Sequence, residues 1–561
     1  MKNKTLLAII AAVVLFSPRL FAGNTGKIAG RVVDAETREP LPGANVVIKG
    51  TKLGASTDLD GYYFILNVPP GTYEVEASML SYQTVVKKGV VVRADYTTYV
   101  DFMLKPSAVQ MKELVVTAKK PPVQIDIVST SQTIESNLMK KLPSIDVKDV
   151  LTTQAGIIPD LTFQGLTENQ SQEQFQGNPS DGLHFRGGRE NETAYLIEGI
   201  SLTDPIFGGF LLENLPSEAL SEMTAYTGTF SAEYGGALSA VVNMVLPEAN
   251  HRSFTFNAMT DWITPDSNKQ NMASTEFAMK LPTMHQKVNI FLAGKSYTTD
   301  GRFYGYIYPN WRDSEGRDKS GVPLKVPMSY RDINSVVTRV TFHPSTKLRL
   351  DFIGLYDTVQ TMEYLHFFKY APYDAPRFWM GDRLGAVRLN FVPSPKTFIS
   401  VTGSVYDKTY KGGVYDSLDL NLVEKHLISP EGFAVSGVAY LWKFAHSTTK
   451  EFRIDATTQR GLHQLQVGVD YRDYMIHFER RNPTAPDPVD SVPPYDMAPW
   501  ELYTRYPRHY SGYFQDKIEF RDIGMVLNFG ARVDVVDPKT YWIKDHRRLA
   551  ALTAQDVDSL M

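Results

Sequence analysis

The chain of 561 residues contains no cysteine. That excludes a disulfide framework, thiolate metal sites and lipid attachment at an N-terminal cysteine. It also suits an oxidising compartment outside the inner membrane, where stray thiols are a liability. A large excess of charge is missing too. The formal net charge is −4, which provides no electrostatic footprint for nucleic acid. Long apolar runs are scarce. The run Leu6–Phe16 holds eleven residues, whereas a spanning helix needs about 20. Lys2 and Lys4 precede it and Ala22-Gly23 follow, which predicts a secretory signal peptide over residues 1–22, cut after Ala22. None of the 11 histidines opens an HExxH or HxxE pattern, and no His/Asp/Glu cluster has ligand spacing. No nucleophile–base constellation is visible either. The expectation is a protein that is not an enzyme and needs no cofactor and no metal.

Aromatics, in contrast, are plentiful, with 30 Tyr and 29 Phe. A polar average with many aromatics fits a barrel with a wet interior and an apolar outside. At this length the chain divides into about three units. In the first, residues 27–105, short β-prone runs such as Arg31–Val33, Ala44–Ile48, Tyr62–Ile65 and Thr72–Ala77 are separated by Pro42-Gly43, Asp60-Gly61 and Pro69-Pro70-Gly71. Seven or so strands in this length predict a small β-sandwich. Asp58 and Asp60-Gly61 read as turn chemistry, because a calcium loop would need a distal bidentate Glu. The stretch GRVVDAETREPLPGANVVIKG through EVEASMLSY resembles the carboxypeptidase-regulatory-like domain, a transthyretin-type sandwich. Gly30, Gly43, Asp58, Gly61, Tyr63, Pro69, Gly71 and Tyr73 carry that resemblance.

Residues 106–124 form a linker. Within it Glu113, Leu114, Val115, Val116, Thr117 and Ala118 make a short β-prone run, with Pro106 before it and Pro121-Pro122 after it. Proline on both sides keeps the run out of helices and central sheet positions. Two readings stand: a plain interdomain linker, or a strand left free to pair with another protein's sheet edge.

The next unit, residues 125–247, is Gly-rich and polar, with a helix predicted over Ile145–Leu151 behind Ser144 as N-cap. LPSIDVKDVLTTQAGI (Leu142–Ile157), Phe185-Arg186-Gly187, Tyr195–Ile200 and Ser231–Val242 resemble the plug domain of TonB-dependent outer-membrane transporters. Glu198 stands where many relatives carry Asp. The resemblance implies that Glu113–Ala118 is the TonB box, the strand on which the periplasmic coupling protein pulls. It makes Arg186, Gly187, Gly188, Glu198 and Gly199 plug residues. Arg186 and Glu198 either form salt bridges to a barrel wall or only order the plug's own sheet.

From residue 252 the hydrophobic period becomes 2. Leu465, Val467, Val469 and Tyr471 alternate with Gln464, Gln466, Asp470 and Arg472, and Leu348, Leu350 and Phe352 alternate with Arg349 and Asp351. Short turns (Pro344–Ser345, Pro393–Lys396, Arg521–Gly524) alternate with long loops (Thr299–Ser329, Thr361–Leu384, Lys411–Ala445, Arg480–Arg508). That is the pattern of an outer-membrane barrel; a soluble sandwich is the alternative. About eleven strands are expected within residues 252–561. The family's barrels have about 22 strands, so the reading is a receptor truncated within its barrel. Eleven strands alone would leave unpaired edges in lipid.

The fold class expected is mainly β: a small transthyretin-like sandwich, an α+β plug, then the first half of a transmembrane antiparallel β-barrel. The function implied is active uptake of a large or scarce ligand across the outer membrane, with the sandwich and TonB box in the periplasm. The partners implied are TonB with ExbB and ExbD, outer-membrane lipid and an unidentified imported ligand, with a surface lipoprotein left open and no nucleic acid. The alternatives are a surface binding or adhesion protein and a non-functional receptor remnant.

Overall fold

The computed structural model describes residues 25–51, 53–107, 114–117, 130–139, 147–159, 183–210, 214–228, 230–261, 271–283, 287–301, 303–307, 324–362, 364–413, 427–428, 434–436, 442–481, 500–520 and 525–539. The expected signal peptide, Glu113, Ala118 and most of the expected linker lie outside the described residues. Among the described residues no helix is long and apolar enough to cross a membrane. The chain is mainly β.

The first unit is a two-sheet sandwich built from β1 (Gly26–Asp34), β2 (Asn45–Ile48), β3 (Gly54–Ser56), β4 (Tyr62–Val68), β5 (Gly71–Ser78), β6 (Val85–Val92), β7 (Thr97–Tyr99) and β8 (Phe102–Leu104). One sheet runs β4-β1-β7, with β8 continuing alongside β1. The apolar members of each alternating strand, among them Ile28, Val46, Tyr63, Val75 and Phe102, meet in one core. Gly30 is required by closeness: a Cβ there would lie 2.1 Å from the Val100 carbonyl oxygen. The second sheet runs β3-β2-β5-β6 and then takes one more strand, β9 (Leu114–Thr117), parallel to β6.

The second unit holds β10 (Ser131–Glu135), β11 (Ile157–Pro159), β12 (Leu183–Phe185), β13 (Thr193–Ile197), β14 (Ile200–Ser201), β15 (Glu222–Thr227) and β16 (Ala240–Val245). Five of these form a mixed sheet in the order β10-β15-β16-β13-β14. A helix over Val147–Thr152 buries Val147, Val150 and Leu151, the i, i+3, i+4 stripe that packs on the sheet.

The remaining strands are β17 (Ser253–Asp261), β18 (Met272–Thr283), β19 (Val288–Thr299), β20 (Tyr304–Ile307), β21 (Leu324–Pro327), β22 (Arg331–Ser345), β23 (Leu348–Met362), β24 (Arg377–Ser394), β25 (Thr397–Gly413), β26 (Leu427–Ile428), β27 (Ala434–Ser436), β28 (Trp442–Arg460), β29 (His463–Arg481), β30 (Trp500–Arg505), β31 (Arg508–Phe520) and β32 (Met525–Asp537). Eleven of them make one antiparallel meander from β17 to β32, β30 pairing with the outer half of β29. β20/β21 and β26/β27 are separate hairpins in the long connections. The connection after β23 is shorter than the alternation suggests. Arg377 already pairs with Met362, so the expected loop Thr361–Leu384 shrinks to residues 363–376. The outer strand ends carry aromatics on both faces, which hides the period.

Polarity in this sheet is inverted. On β23 Asp351 and Asp357 are fully buried while Phe352 and Tyr356 are 47% exposed. The buried charges face inward and the exposed large apolar side chains outward, as lipid on one side and a polar lumen on the other require. The second unit sits against the inner face: its Leu151, Ile197 and Met223 share one core with Phe291, Val337, Leu355 and Tyr406 of the sheet.

Candidate coupling segment and plug–wall contact

Leu114–Thr117 is the described part of the ELVVTA run. It does not hang free. Its register on β6 is Val85↔Leu114, Val86↔Val115, Lys87↔Val116 and Lys88↔Thr117. The flanking prolines permit this, because an edge strand needs ladder hydrogen bonds on one side only. A β-prone run with no partner of its own takes the nearest open edge.

β6 leads directly into the turn that grips the second unit. The Arg93 guanidinium pairs with Glu135. The Ala94 N–H donates to the Glu222 carboxylate at 2.9 Å. Asp95 sits in the left-handed region, φ 62°, and accepts from the hydroxyls of Tyr226 at 2.7 Å and Tyr234 at 2.6 Å. Burial pushes the Glu222 carboxyl up to about 8 and raises that of Asp95 above its ordinary value. A second grip reaches the wall. Buried Lys27 donates to both carboxylate oxygens of Glu519 on β31 at 2.9 Å, to Gln459 at 3.1 Å and to Gln464 at 2.9 Å. Thr97 and Tyr99 donate to the same carboxylate. The sandwich is thus fastened to both the second unit and the sheet.

Two turns of the second unit that carry the expected plug residues have both central residues at positive φ. Arg186 and Gly187 lie at 50° and 81°, and Glu198 and Gly199 at 52° and 71°. Such pairs form the tight turns whose twist matches a hairpin, and β13 and β14 are joined by the second of them. Gly188 allows close approach, since a Cβ there would lie 2.2 Å from the Ser239 hydroxyl. Arg186 is exposed, and among the described residues no ion pair joins it to the sheet. Its N–H donates to the Gly156 carbonyl at 2.7 Å.

Glu198 reaches the wall. Its carboxylate accepts from Arg339 on β22 at 3.0 Å, from Arg388 on β24 at 3.2 Å and from the Leu246 N–H at 2.8 Å. Arg388 also donates to the Glu198 carbonyl oxygen. Asp351 on β23, opposite both Thr341 and Arg388 in register, accepts from Arg339, Arg349 and Thr341. Arg349 in turn pairs with Glu248 at 2.8 Å. Three neighbouring strands therefore hold one turn of the second unit through buried, mutually satisfied charges, the condition under which such charges persist. Arg339 and Arg388 were not singled out in the sequence, and Asp351 entered only as a polar member of the alternation on Leu348–Phe352. Their inward parity was readable, but nothing local marks which inward arginine meets Glu198.

Toward the end of the long connections, the Asp204–Phe210 segment meets the wall again. Phe207 packs against Tyr410 at 5.5 Å and Phe478 at 6.2 Å between ring centroids, and the Lys443 ammonium lies 4.4 Å from its ring. Burial raises the Asp204 carboxyl above its ordinary value. Among the described residues no cluster of acidic and imidazole groups is arranged to hold a metal ion.

Comparison with known proteins now bears on this architecture. A CarboxypepD_reg-like domain matches residues 28–116, and a TonB-dependent receptor plug domain matches residues 123–241. The TonB-dependent transporter Oar of Myxococcus xanthus is 26% identical over 262 residues, 45% of this chain and 23% of that protein. The TonB-dependent receptor P3 of Formosa agariphila is 23% identical over 154 residues, 27% of this chain and 15% of that protein. The matched region thus spans less than a quarter of each relative's length. Among solved structures, the unliganded ferric citrate transporter FecA superposes with a TM-score of 0.51 at 13% identity, over 73% of this chain and 57% of that one. The Escherichia coli outer-membrane transporter YddB gives 0.50 at 12% identity, over 72% and 56%. At these identities the structural likeness shows the fold.

Proposed function

Since residues 123–241 match the plug domain of TonB-dependent receptors, we propose that this chain is such a receptor and serves active uptake of a ligand across the outer membrane, energised through the segment Glu113–Ala118. The observation that supports this best is the seating of the plug: Glu198, clamped by Arg339 and Arg388, fixes a plug inside a sheet that is apolar outside and charged inside. A seated plug needs work to move it, and the outer membrane has no ATP supply. In this reading TonB, with ExbB and ExbD, pulls on the coupling segment, and the plug yields. The ligand enters from the side of the long connections.

The test is retention of the full chain, in outer-membrane vesicles, by the immobilised periplasmic domain of TonB. Retention that is lost on deleting residues 113–118 supports transport. Retention unchanged by the deletion, or none at all, would favour a surface-binding role that needs no coupling.

A further inference from the structure

The N-terminal sandwich ends one of its sheets with β6, on which Leu114–Thr117 is seated. We propose that the sandwich is a strand acceptor: the edge of β6 at Val85–Lys88 holds Leu114–Thr117 by β-addition, and the coupling protein must displace that edge before it can pull on the plug along the chain. The proposal rests on the reading of Glu113–Ala118 as the coupling segment.

Three observations carry it. The first is the pairing itself, a four-residue parallel ladder in which Leu114–Thr117 is the last strand of the sandwich sheet. A sheet edge binds an extended peptide through its main chain, and here Leu114–Thr117 sits on it in the register Val85↔Leu114 to Lys88↔Thr117. The second is mechanical. Lys27 ties the sandwich to Glu519 on β31, and Thr97 and Tyr99 add to that anchor. While Leu114–Thr117 is zipped to β6, tension applied to it passes through the sandwich into the barrel wall. The plug, which follows residue 117 in the chain, then receives no tension along its own backbone and only what the Arg93–Tyr96 contacts pass on. Unzipping from β6 is therefore a required first step.

The third observation links the acceptor to the plug. β6 ends at Val92, and Arg93, Ala94, Asp95 and Tyr96 immediately after it contact Glu135, Glu222, Tyr226, Tyr234 and Ser131 of the plug. A plug displaced by ligand from above shifts the turn that continues the acceptor strand. Release of the coupling segment is thereby biased by what the plug has bound. A ligand shifts such an equilibrium only by the difference in its affinity for the two states.

The absence of native cysteine makes the test clean. Lys87→Cys and Val116→Cys are combined in the full chain, since these residues are register partners. The pair is oxidised with diamide in outer-membrane vesicles, and retention by the immobilised periplasmic domain of TonB is measured. The expected result is disulfide formation and at least a tenfold loss of retention, restored by reductant, with neither single variant affected. Failure of the pair to crosslink would overturn the pairing. A crosslinked chain retained as well as or better than the reduced one would overturn displacement, because the sandwich would then be presenting the strand. Val115→Pro in the reduced chain separates the two levels of inference. If it is retained like the parent, the coupling assignment itself fails; if it is lost while the crosslinked chain stays bound, only the displacement step fails.

Discussion

Arg388 meets Glu198 twice, once at the carboxylate and once at the backbone carbonyl. The second contact fixes the turn as well as the charge, since Glu198 is held at φ 52°, a conformation that a residue with a side chain adopts only when its surroundings impose it. Arg339 shares its guanidinium with Asp351, whereas among the described residues Arg388 forms its ion pair with Glu198 alone.

That asymmetry predicts an order of effects. Glu198→Ala strands a buried Arg388 and should cost about 3–5 kcal/mol of plug seating, the usual penalty for leaving one partner of a buried pair. Arg339→Ala and Arg388→Ala each leave Glu198 one guanidinium and should cost less. Urea titration of plug release in detergent, followed by proteolysis of the plug, reads the three values. A double-mutant cycle for Glu198 and Arg388 should show coupling well above that of an exposed ion pair.

Lys27→Ala removes the anchor to β31. Glu519 keeps Lys517 at 3.4 Å, so the wall itself should survive. The sandwich should come away, seen as faster protease cleavage within residues 118–130 while the barrel's heat-resistant migration on a gel stays unchanged. Equal cleavage rates in the variant and the parent would remove Lys27 from the anchor.

How much of this was readable in the chain depends on the range of the forces involved. The sandwich and plug were legible because their signals are local: Gly61 and Gly43 need positive φ, and the alternation around Leu350–Phe352 reports two media directly. Glu198 was legible as a plug residue, and a bridge to the wall was one of its two readings. Its partners were not, because Arg388 lies 190 residues away and looks like any other inward arginine. The Lys27–Glu519 contact spans 492 positions and has no sequence signal. Of the two readings of Leu114–Thr117, linker or free strand, neither named β6 as its partner. Prolines mark where a strand cannot be central, but they say nothing about which edge it will find.

At the plug apex, Phe207→Ala should loosen the contact with Tyr410 and Phe478 and deprive Lys443 of a ring face. Aromatic pairs are worth about 0.5–1.5 kcal/mol beyond their burial. Hydrogen exchange of residues 204–210 should speed up roughly tenfold or less, with β13 and β16 unaffected. Exchange that instead accelerates across the whole plug would mean the apex supports its fold and is more than a local latch.

The sandwich–plug interface should weaken as pH rises. Burial lifts Glu222 to about 8, well above the 4.5 ordinary for an exposed glutamate. The docked state therefore holds a proton that the undocked state releases between those two values. By linkage its favourable contribution is complete below about pH 4.5 and declines as pH rises toward 8, above which both states are ionised and no further loss occurs. Arg93 opposes the shift and Asp95 and Glu135 reinforce it. Cleavage within residues 118–130 should accordingly be slow at pH 5 and faster at pH 9. Glu222→Gln, which stays neutral and can still accept from the Ala94 N–H, should keep cleavage slow at both. A pH dependence that survives in Glu222→Gln would assign the effect to Asp95, whose carboxyl is also raised by burial, and Asp95→Asn would then be the variant that abolishes it.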